Sequence, residues 1–549
     1  MAQLGQMRRV HGIKAKFGLT VSALALMTAL PTVAFAQEAA AQDDQTTEPE
    51  GEIVVTGIRA GIQSSISTKR NETSIVEAVS AEDIGKLPDV SIAESIARLP
   101  GLAAQRVNGR AQVISIRGLA PDFTTTLLNG RQQASSGDNR AVEFDQYPSE
   151  LLSSVVIYKT PDAEIPGMGL SGTADLRTVR PLAFGKRAFA VNIRGEKTEG
   201  SRLNDDVRNW GGRASVSYID QFAGGTLGLA IGYAHLDSPS GNKHYKAYGY
   251  ESFGGVSPTT VQPASAANAL LLNGQEVFAT SRLNRRDAVI GILEWQPDDV
   301  VHSTLDLYYS KFHQEETTRG AQWFSNGWAD GATFTGVTTE DRGGSQFATG
   351  GVLHNGVPII RNDLNKRDDE IFSVGLNNEF KMTDRTRLAL DLSYSKNKRK
   401  EQILETYAGF GLGTGGVTGA TPDVGRSYDT ISFEIPDDGY PTYGTGLNYA
   451  DAARVSLGDR APWGGWGHDG AIRFPDVEES IYAIDLKAEH EFDGFLNKLT
   501  AGFNFTHREK SKRVDDFDLF LRTVASRCSS IRPIWSLRPH SASPASAAC

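Results

Sequence analysis

From about residue 187 onward, apolar and polar residues alternate with a period of two. Phe189, Val191 and Ile193 interleave with Ala190, Asn192 and Arg194, and Leu388, Leu390, Leu392 and Tyr394 with Ala389, Asp391, Ser393 and Ser395. Such a period belongs to β-strands with one apolar face and one polar face. Nine stretches carry it: 187–197, 210–222, 226–237, 285–296, 300–313, 369–381, 386–398, 479–492 and 496–509. Each is close to the ~9–11 residues of a tilted strand crossing a bilayer as a barrel stave. A soluble sandwich alternates in the same way, so the connections must decide. Ala223-Gly224-Gly225, Pro297-Asp298-Asp299, Met382 to Arg385 and Asp493-Gly494-Phe495 are tiny gaps. On the other side the gaps grow from about 12 residues to roughly 50, 55 and 80, lengths rare for structureless loops in soluble domains. Short turns alternating with long excursions are the pattern of an outer-membrane barrel.

Residues 71–180 have a different texture, that of a small mixed α+β domain. Ser74 to Val79 predicts a strand, and Ser80 to Ile84 a helical turn. Ser91 with Glu94 forms a capping-box pattern ahead of a helix over 92–99, stopped by Pro100-Gly101. Val113 to Gly118 is a strand ending in a glycine turn, and Asn129-Gly130 ends another with a tight-hairpin pair. Leu151 to Lys159 predicts a closing strand.

The first 36 residues form an export signal. Arg8, Arg9, Lys14 and Lys16 precede an apolar run of about 14 residues, and Ala34-Phe35-Ala36 is a small-x-small cleavage site, so mature chain begins at Gln37. The run is shorter than the ~20 residues of a membrane-spanning helix. Residues 37–70 are a disordered linker, acidic over 37–51 with nothing to bury. Within it stands Glu52-Ile53-Val54-Val55-Thr56-Gly57. Its β-branched run is either a tethered strand able to pair with another protein's sheet edge or the first strand of the domain that follows.

Composition narrows the partners. A net charge of −10 with no Lys/Arg-rich block argues against nucleic acid. The two cysteines, Cys528 and Cys549, both lie near the end, so neither a disulfide framework nor a Cys-based metal site holds the body. No histidine spacing suggests a metal, no cofactor is implied, and among 66 acidic residues no motif selects a catalytic pair. The chain is expected not to be an enzyme.

These residues resemble a TonB-dependent receptor. Glu52 to Gly57 resembles the TonB box. Ile116-Arg117-Gly118 and Leu128-Asn129-Gly130-Arg131 resemble the two signature turns of the plug, and Pro148 to Thr160 and Gly172 to Thr178 its closing segments. Asp83 to Asp89 together with Asp175 to Thr178 is similar to the Caulobacter/Xanthomonas/Sphingomonas-type branch, whose members are associated with plant or algal oligosaccharides. The resemblance implies an outer-membrane receptor of a Gram-negative bacterium, seated in outer-membrane lipid. Its plug, 71–180, sits in an antiparallel transmembrane β-barrel, 181–521, and is pulled by TonB with the proton-driven ExbB/ExbD complex. With only about 15 residues between cleavage site and box, the chain lacks the ~80-residue signalling domain of regulatory members. Barrels of this kind have about 22 strands, so nine are an incomplete set. The Ser/Pro/Arg-rich tail 522–549 points to a truncated or frame-shifted coding sequence, a genuine polar extension being the alternative.

Aromatics cluster in the long excursions: Trp323 and Trp328, Trp463 and Trp466, and Tyr245, Tyr248 and Tyr250 with Phe253. Flat rings among hydrogen-bonding groups suit sugar faces or aryl siderophores equally, and equally suit loop packing. In the plug, Asn139 and Arg140 occupy a loop that would face a substrate, unless Arg140 pairs with Glu143. The expected cargo is an oligosaccharide. A ferric siderophore is the alternative, and a secreted β-rich glycan-binding or adhesion protein the competing class.

Overall fold

A computed structural model describes residues 56–80, 91–107, 110–165, 169–200, 202–252, 260–324, 333–411, 426–461, 467–521 and 535–539. The export signal, Glu52 to Val55, the 83–89 motif, Trp328, Trp463 and Trp466 lie outside the described residues. So does the tail apart from 535–539. From Val55 onward the chain forms one compact unit.

The stretch 56–71, expected as part of an unstructured linker, is helix α1 (Thr56–Asn71). Lys69 near its end bonds Glu77 at 2.8 Å and so fastens the helix to the next strand. The plug follows with β1 (Val76–Ser80), α2 (Ile92–Ile96), β2 (Leu102–Val107), β3 (Arg110–Ile116), β4 (Thr124–Leu128), β5 (Arg131–Gln132), β6 (Ser154–Tyr158) and β7 (Gly172–Arg177). Five of these strands form one sheet in the order β1-β6-β7-β4-β5, with β4 and β7 parallel, while β2 and β3 make a separate hairpin. The capping box does not form. Ser91 Oγ donates to Ala111 O at 2.8 Å, tying α2 to β3, and Glu94 turns to Arg106 at 3.0 Å. With the helix start undefended by a side-chain cap, α2 spans five residues, shorter than the spacing predicts.

Both signature turns have a backbone reason. Asn129 (φ 52°) and Gly130 (φ 81°) are consecutive left-handed residues, as a two-residue hairpin turn demands. Arg117 (φ 55°) and Gly118 (φ 77°) repeat the device after β3.

A helical turn, α3 (Pro181–Phe184), leads into an antiparallel meander. Its nine long staves are β8 (Ala188–Lys197), β9 (Trp210–Phe222), β10 (Leu227–Ser252), β12 (Leu270–Trp295), β13 (Val301–Phe324), β16 (Pro358–Thr383), β17 (Thr386–Gly409), β21 (Gly470–Glu491) and β22 (Lys498–Leu521). Each pairs with the next, and β22 also pairs with β23 (Trp535–Pro539). Among the described residues no pairing joins β8 to β22, so the sheet is open.

The short turns fall where the sequence places them. The opposite ends do not, because most staves run about a dozen residues further and the long gaps are largely strand. β11 (Thr260–Val261), β14 (Thr333–Arg342), β15 (Ser345–Gly356), β18 (Asp429–Glu434), β19 (Thr442–Thr445) and β20 (Ser456–Leu457) fill the excursions. They share an apolar cluster that includes Leu271, Trp323, Phe334, Leu353 and Ile431.

The two faces of the staves differ as their alternation requires. On β13, Asp306, Tyr308, Ser310 and Phe312 are buried toward the plug, while Leu307 and Tyr309 are exposed on the other side. The outward face carries an aromatic line. Tyr233, Tyr309 and Phe372 stand in register across β10, β13 and β16, and Tyr394, Tyr482 and Phe505 continue it. Trp295 and Phe380 mark a second level. From Phe372 to Phe380 is roughly 26 Å at ~3.3 Å per residue, a span suited to a tilted strand in a thin apolar slab. The fold is a small mixed α+β domain followed by a large antiparallel sheet.

Candidate functional site

The plug core and the inner face of the staves share one apolar cluster, which runs from Ile114, Val155 and Leu176 to Ala234, Ile290 and Ile371. Around it the plug is held by polar groups. Arg131, placed by the Asn129-Gly130 turn at the start of β5, is 8% exposed and lies between two staves. It donates to Asp306 of β13 at 2.5 Å and, through Nε and Nη2, to Asp391 of β17 at 2.8 and 2.7 Å. Asp306 also accepts from Asn129 (3.1 Å) and from Arg180 (2.7 Å). Burial disfavours the guanidinium charge, but the two carboxylates outweigh it and hold the Arg131 pKa above its usual value. Gly375 on β16 makes room, since a Cβ there would stand 2.3 Å from Arg131 Nε.

Within the same turn, Gly130 N–H donates to Asp175 at 2.9 Å, and Asn129 Oδ1 accepts from Thr178 N–H at 2.9 Å. The turn and the closing strand β7 therefore lock one another. The other expected turn residues, Ile116, Arg117 and Gly118, shape the end of β3. Ile116 is fully buried in the plug core and Arg117 points to solvent.

Beyond β5 the chain forms the plug's apex loop, 133–147. Ser135 N–H donates to Glu479 of β21 at 2.6 Å, and Ala134 N–H to Ser395 of β17 at 3.0 Å. Glu143 accepts from Arg367 of β16 at 2.6 Å. Glu143 thus takes a stave arginine, and the alternative Arg140–Glu143 pair is not the one formed. Although burial opposes its ionisation, Arg367 dominates and the Glu143 pKa lies below the ordinary value. Asp145 has a weaker partner: Arg110 is 3.6 Å away, and burial leaves the acid's pKa raised. Tyr147 stacks on Tyr308 of β13 with ring centres 5.1 Å apart.

At the tip, Asp138 is bound by Arg399 and, at 2.6 Å, by Lys512. Asn139 serves the loop itself, its Oδ1 accepting from Ala141 N–H at 3.2 Å and its carbonyl from Lys510 at 2.5 Å. Arg140 is exposed and lines a small crevice with Arg508 and Asp122. Arg140, Arg399, Arg508, Lys510 and Lys512 meet Asp122, Asp138, Glu401 and Glu479 at this tip, so charges of both signs share the apex.

Above the apex, the inner face is polar with its charges matched. Arg361 donates to Asp363 (2.8 Å) and Glu405 (3.0 Å), Arg282 pairs with Glu316, and Glu276 accepts from Tyr248 (2.6 Å) and Gln322 (3.1 Å). Tyr245, Tyr248 and Tyr250 are therefore stave residues of β10, not members of a free loop. Trp323 closes β13, is 5% exposed, and packs on Tyr443 with centres 5.3 Å apart. Of the expected substrate contacts, Asn139 and Arg140 share the apex while Trp323 stands far above it on the opposite face. The stave carboxylates Asp306 and Asp391, which complete the Arg131 site, carried no distinguishing pattern in the sequence.

Residues 68–174 match the TonB-dependent Receptor Plug Domain family. Among solved structures the chain is similar to the siderophore receptor PirA of Acinetobacter baumannii, at 10% identity over 83% of this chain and 79% of that one, with a TM-score of 0.28. It is also similar to a mutant of the ferric enterobactin receptor PfeA of Pseudomonas aeruginosa, at 10% identity over 83% and 73%, TM-score 0.31. A third is the outer-membrane transporter YddB of Escherichia coli, at 10% identity over 81% and 58%, TM-score 0.31. Similarity at this level carries no argument about cargo.

Proposed function

We propose that this chain is a TonB-dependent outer-membrane receptor that takes up a scarce nutrient through energy-coupled movement of its plug. The observation that carries the reading is the seating of the plug-matching domain on the inner face of the staves by directional charge pairs, centred on Arg131 between Asp306 and Asp391. Such an interface holds a closed state firmly yet exchanges its bonds for water when the plug shifts. TonB is the partner at Glu52 to Gly57, ExbB/ExbD the source of proton-driven force, and outer-membrane lipid the surroundings of the aromatic lines. Export follows cleavage between Ala36 and Gln37.

The cargo we infer is an oligosaccharide, supported by an inner wall whose arginines are already neutralised above the apex. One observation favours a second reading: the exposed guanidinium of Arg140 beside Arg508 suits an anionic cargo such as a ferric siderophore. Transcript measured under iron limitation and on plant glycans separates the two, and induction by iron limitation alone would overturn the sugar reading. Coupling is tested by Val54→Pro, because proline removes a backbone donor and blocks strand pairing. Uptake is expected to fall to background with surface binding unchanged; normal uptake would remove Glu52 to Gly57 from the mechanism.

A further inference from the structure

The extension of the staves above the aromatic line creates a space away from the plug. β19, β20 and the chain between them lie against the upper ends of β13, β16 and β17 and border a cavity of about 1030 Å³. The alternation along β13 tells which side it occupies. Asp306, Tyr308 and Phe312 face the plug, whereas Arg319, Ala321 and Trp323, which line the cavity, continue the opposite series of Leu307 and Tyr309. Most of the lining is therefore on the outward face, with Gly320 and Arg361 of the inward series also contributing. Trp323 lies fourteen positions beyond Tyr309, roughly 45 Å along the strand at ~3.3 Å per residue, clear of a ~30 Å hydrocarbon layer.

We propose that this cavity is a binding site for an uncharged oligosaccharide. Its size is that of a ligand pocket, typically ~300–1,000 Å³ with an apolar lining and a few polar groups. Its wall holds two partly exposed rings, Tyr443 and Tyr449, backed by the buried Trp323. Trp323 Nε1 donates to Tyr449 Oη at 2.8 Å, Tyr449 Oη donates to Asp429 at 2.5 Å, and Tyr443 Oη donates to Gln275 at 2.7 Å. These bonds hold the rings in place before any ligand arrives, which limits the ordering cost of binding. Ala450, Ala452 and Leu457 add exposed apolar surface, while Thr442, Thr445 and Asn362 bring exposed hydroxyl and amide groups to the lining.

No net charge is on offer. Arg319 is held by both oxygens of Asp206 at 2.7 Å, and Arg361 by Asp363 and Glu405. Rings for C–H faces, hydroxyl and amide groups for ring substituents, and neutralised cations together match a neutral sugar chain and disfavour an anion. A lipid tail would leave the polar lining unpaired and would have to leave the bilayer. The site stands apart from energy coupling, and it needs neither TonB nor plug movement.

The test uses the full chain purified in detergent, titrated with maltohexaose and with xylohexaose and followed by calorimetry and tryptophan fluorescence. At least one of the two is expected to bind. Ala452→Trp, which fills the cavity from an exposed position, should weaken that binding at least tenfold, and Thr445→Val several-fold, with the thermal unfolding midpoint unchanged. Arg342→Ala, exposed where β14 turns to β15 and outside the cavity, should leave it as it was. Absence of binding by both sugars overturns the proposal. So does binding that is indifferent to both cavity variants, since that places the sugar elsewhere. Because the readout is equilibrium binding, a failure of Val54→Pro to block uptake would leave this result untouched.

Discussion

Arg131 supplies one of the most buried of the plug's attachments to the staves. Removing it leaves Asp306 and Asp391 facing a site from which most water is excluded, and breaking such a pair from one side costs ~3–5 kcal/mol. Both carboxylates keep some solvent contact, so the lower end of that range is expected for Arg131→Ala. The plug should become accessible to protease at lower denaturant, while the staves keep their β signal. Arg131→Lys should restore little, because the lysine ammonium cannot hold two carboxylates with a planar fork. Asp138 adds a dependence on pH. Burial raises its pKa, but hydrogen bonds from Lys512 and Arg399 prevail and hold it below the ordinary 3.8. A depressed folded pKa means that its stabilisation is complete above the ordinary value and is lost as pH falls through the folded one. Amide exchange in the apex loop should therefore rise below about pH 4, and Lys512→Ala should move that onset upward. An unchanged onset in the variant would show that the Asp138 contacts do not restrain the apex.

At the scale of elements, the lower halves of the staves were legible because one face meets an apolar surround and the other a polar interior. That difference writes a period of two into β13 from Leu305 to Tyr309. From His313 to Gln322 the same strand has polar groups on both sides, so the period disappears while the strand continues. The upper sheet was missed for that reason. The tight turns were legible because left-handed backbone at Asn129-Gly130 restricts residue choice. Their partners were not, since an aspartate on the polar face of a stave looks like any other until the plug is set against it. Ser91 misled because its capping pattern is local, whereas the bond it makes, to Ala111, is tertiary. The outward face gives a sharp test. Leu376 lies between the two aromatic levels and faces away from the plug at 37% exposure. Leu376→Arg should cost ~2–4 kcal/mol in lipid and far less in soluble medium. Equal stability in bilayers would overturn the assignment of that face to hydrocarbon.

For the whole molecule, the plug and the sheet meet through one shared apolar cluster and many directional bonds, and Gly375 lies beneath one of the most buried of these. The missing side chain at that position acts like a keyhole, because the guanidinium occupies the volume that any Cβ would claim. Gly375→Ala would push Arg131 away from Asp306 and Asp391 without changing a single formal charge, at a cost typical of overpacking, ~1–3 kcal/mol. The two ways of loosening the plug then differ in their response to salt. Arg131→Ala leaves Asp391 without its ion pair and Asp306 with Arg180 alone, an imbalance that added electrolyte screens, whereas the steric variant keeps its charges balanced and should respond weakly. Measured side by side, the pair would divide the plug's retention into a part set by shape and a part set by charge. The shape part survives in any ionic medium, so this seat of the plug on the staves would persist in fresh or salty water alike.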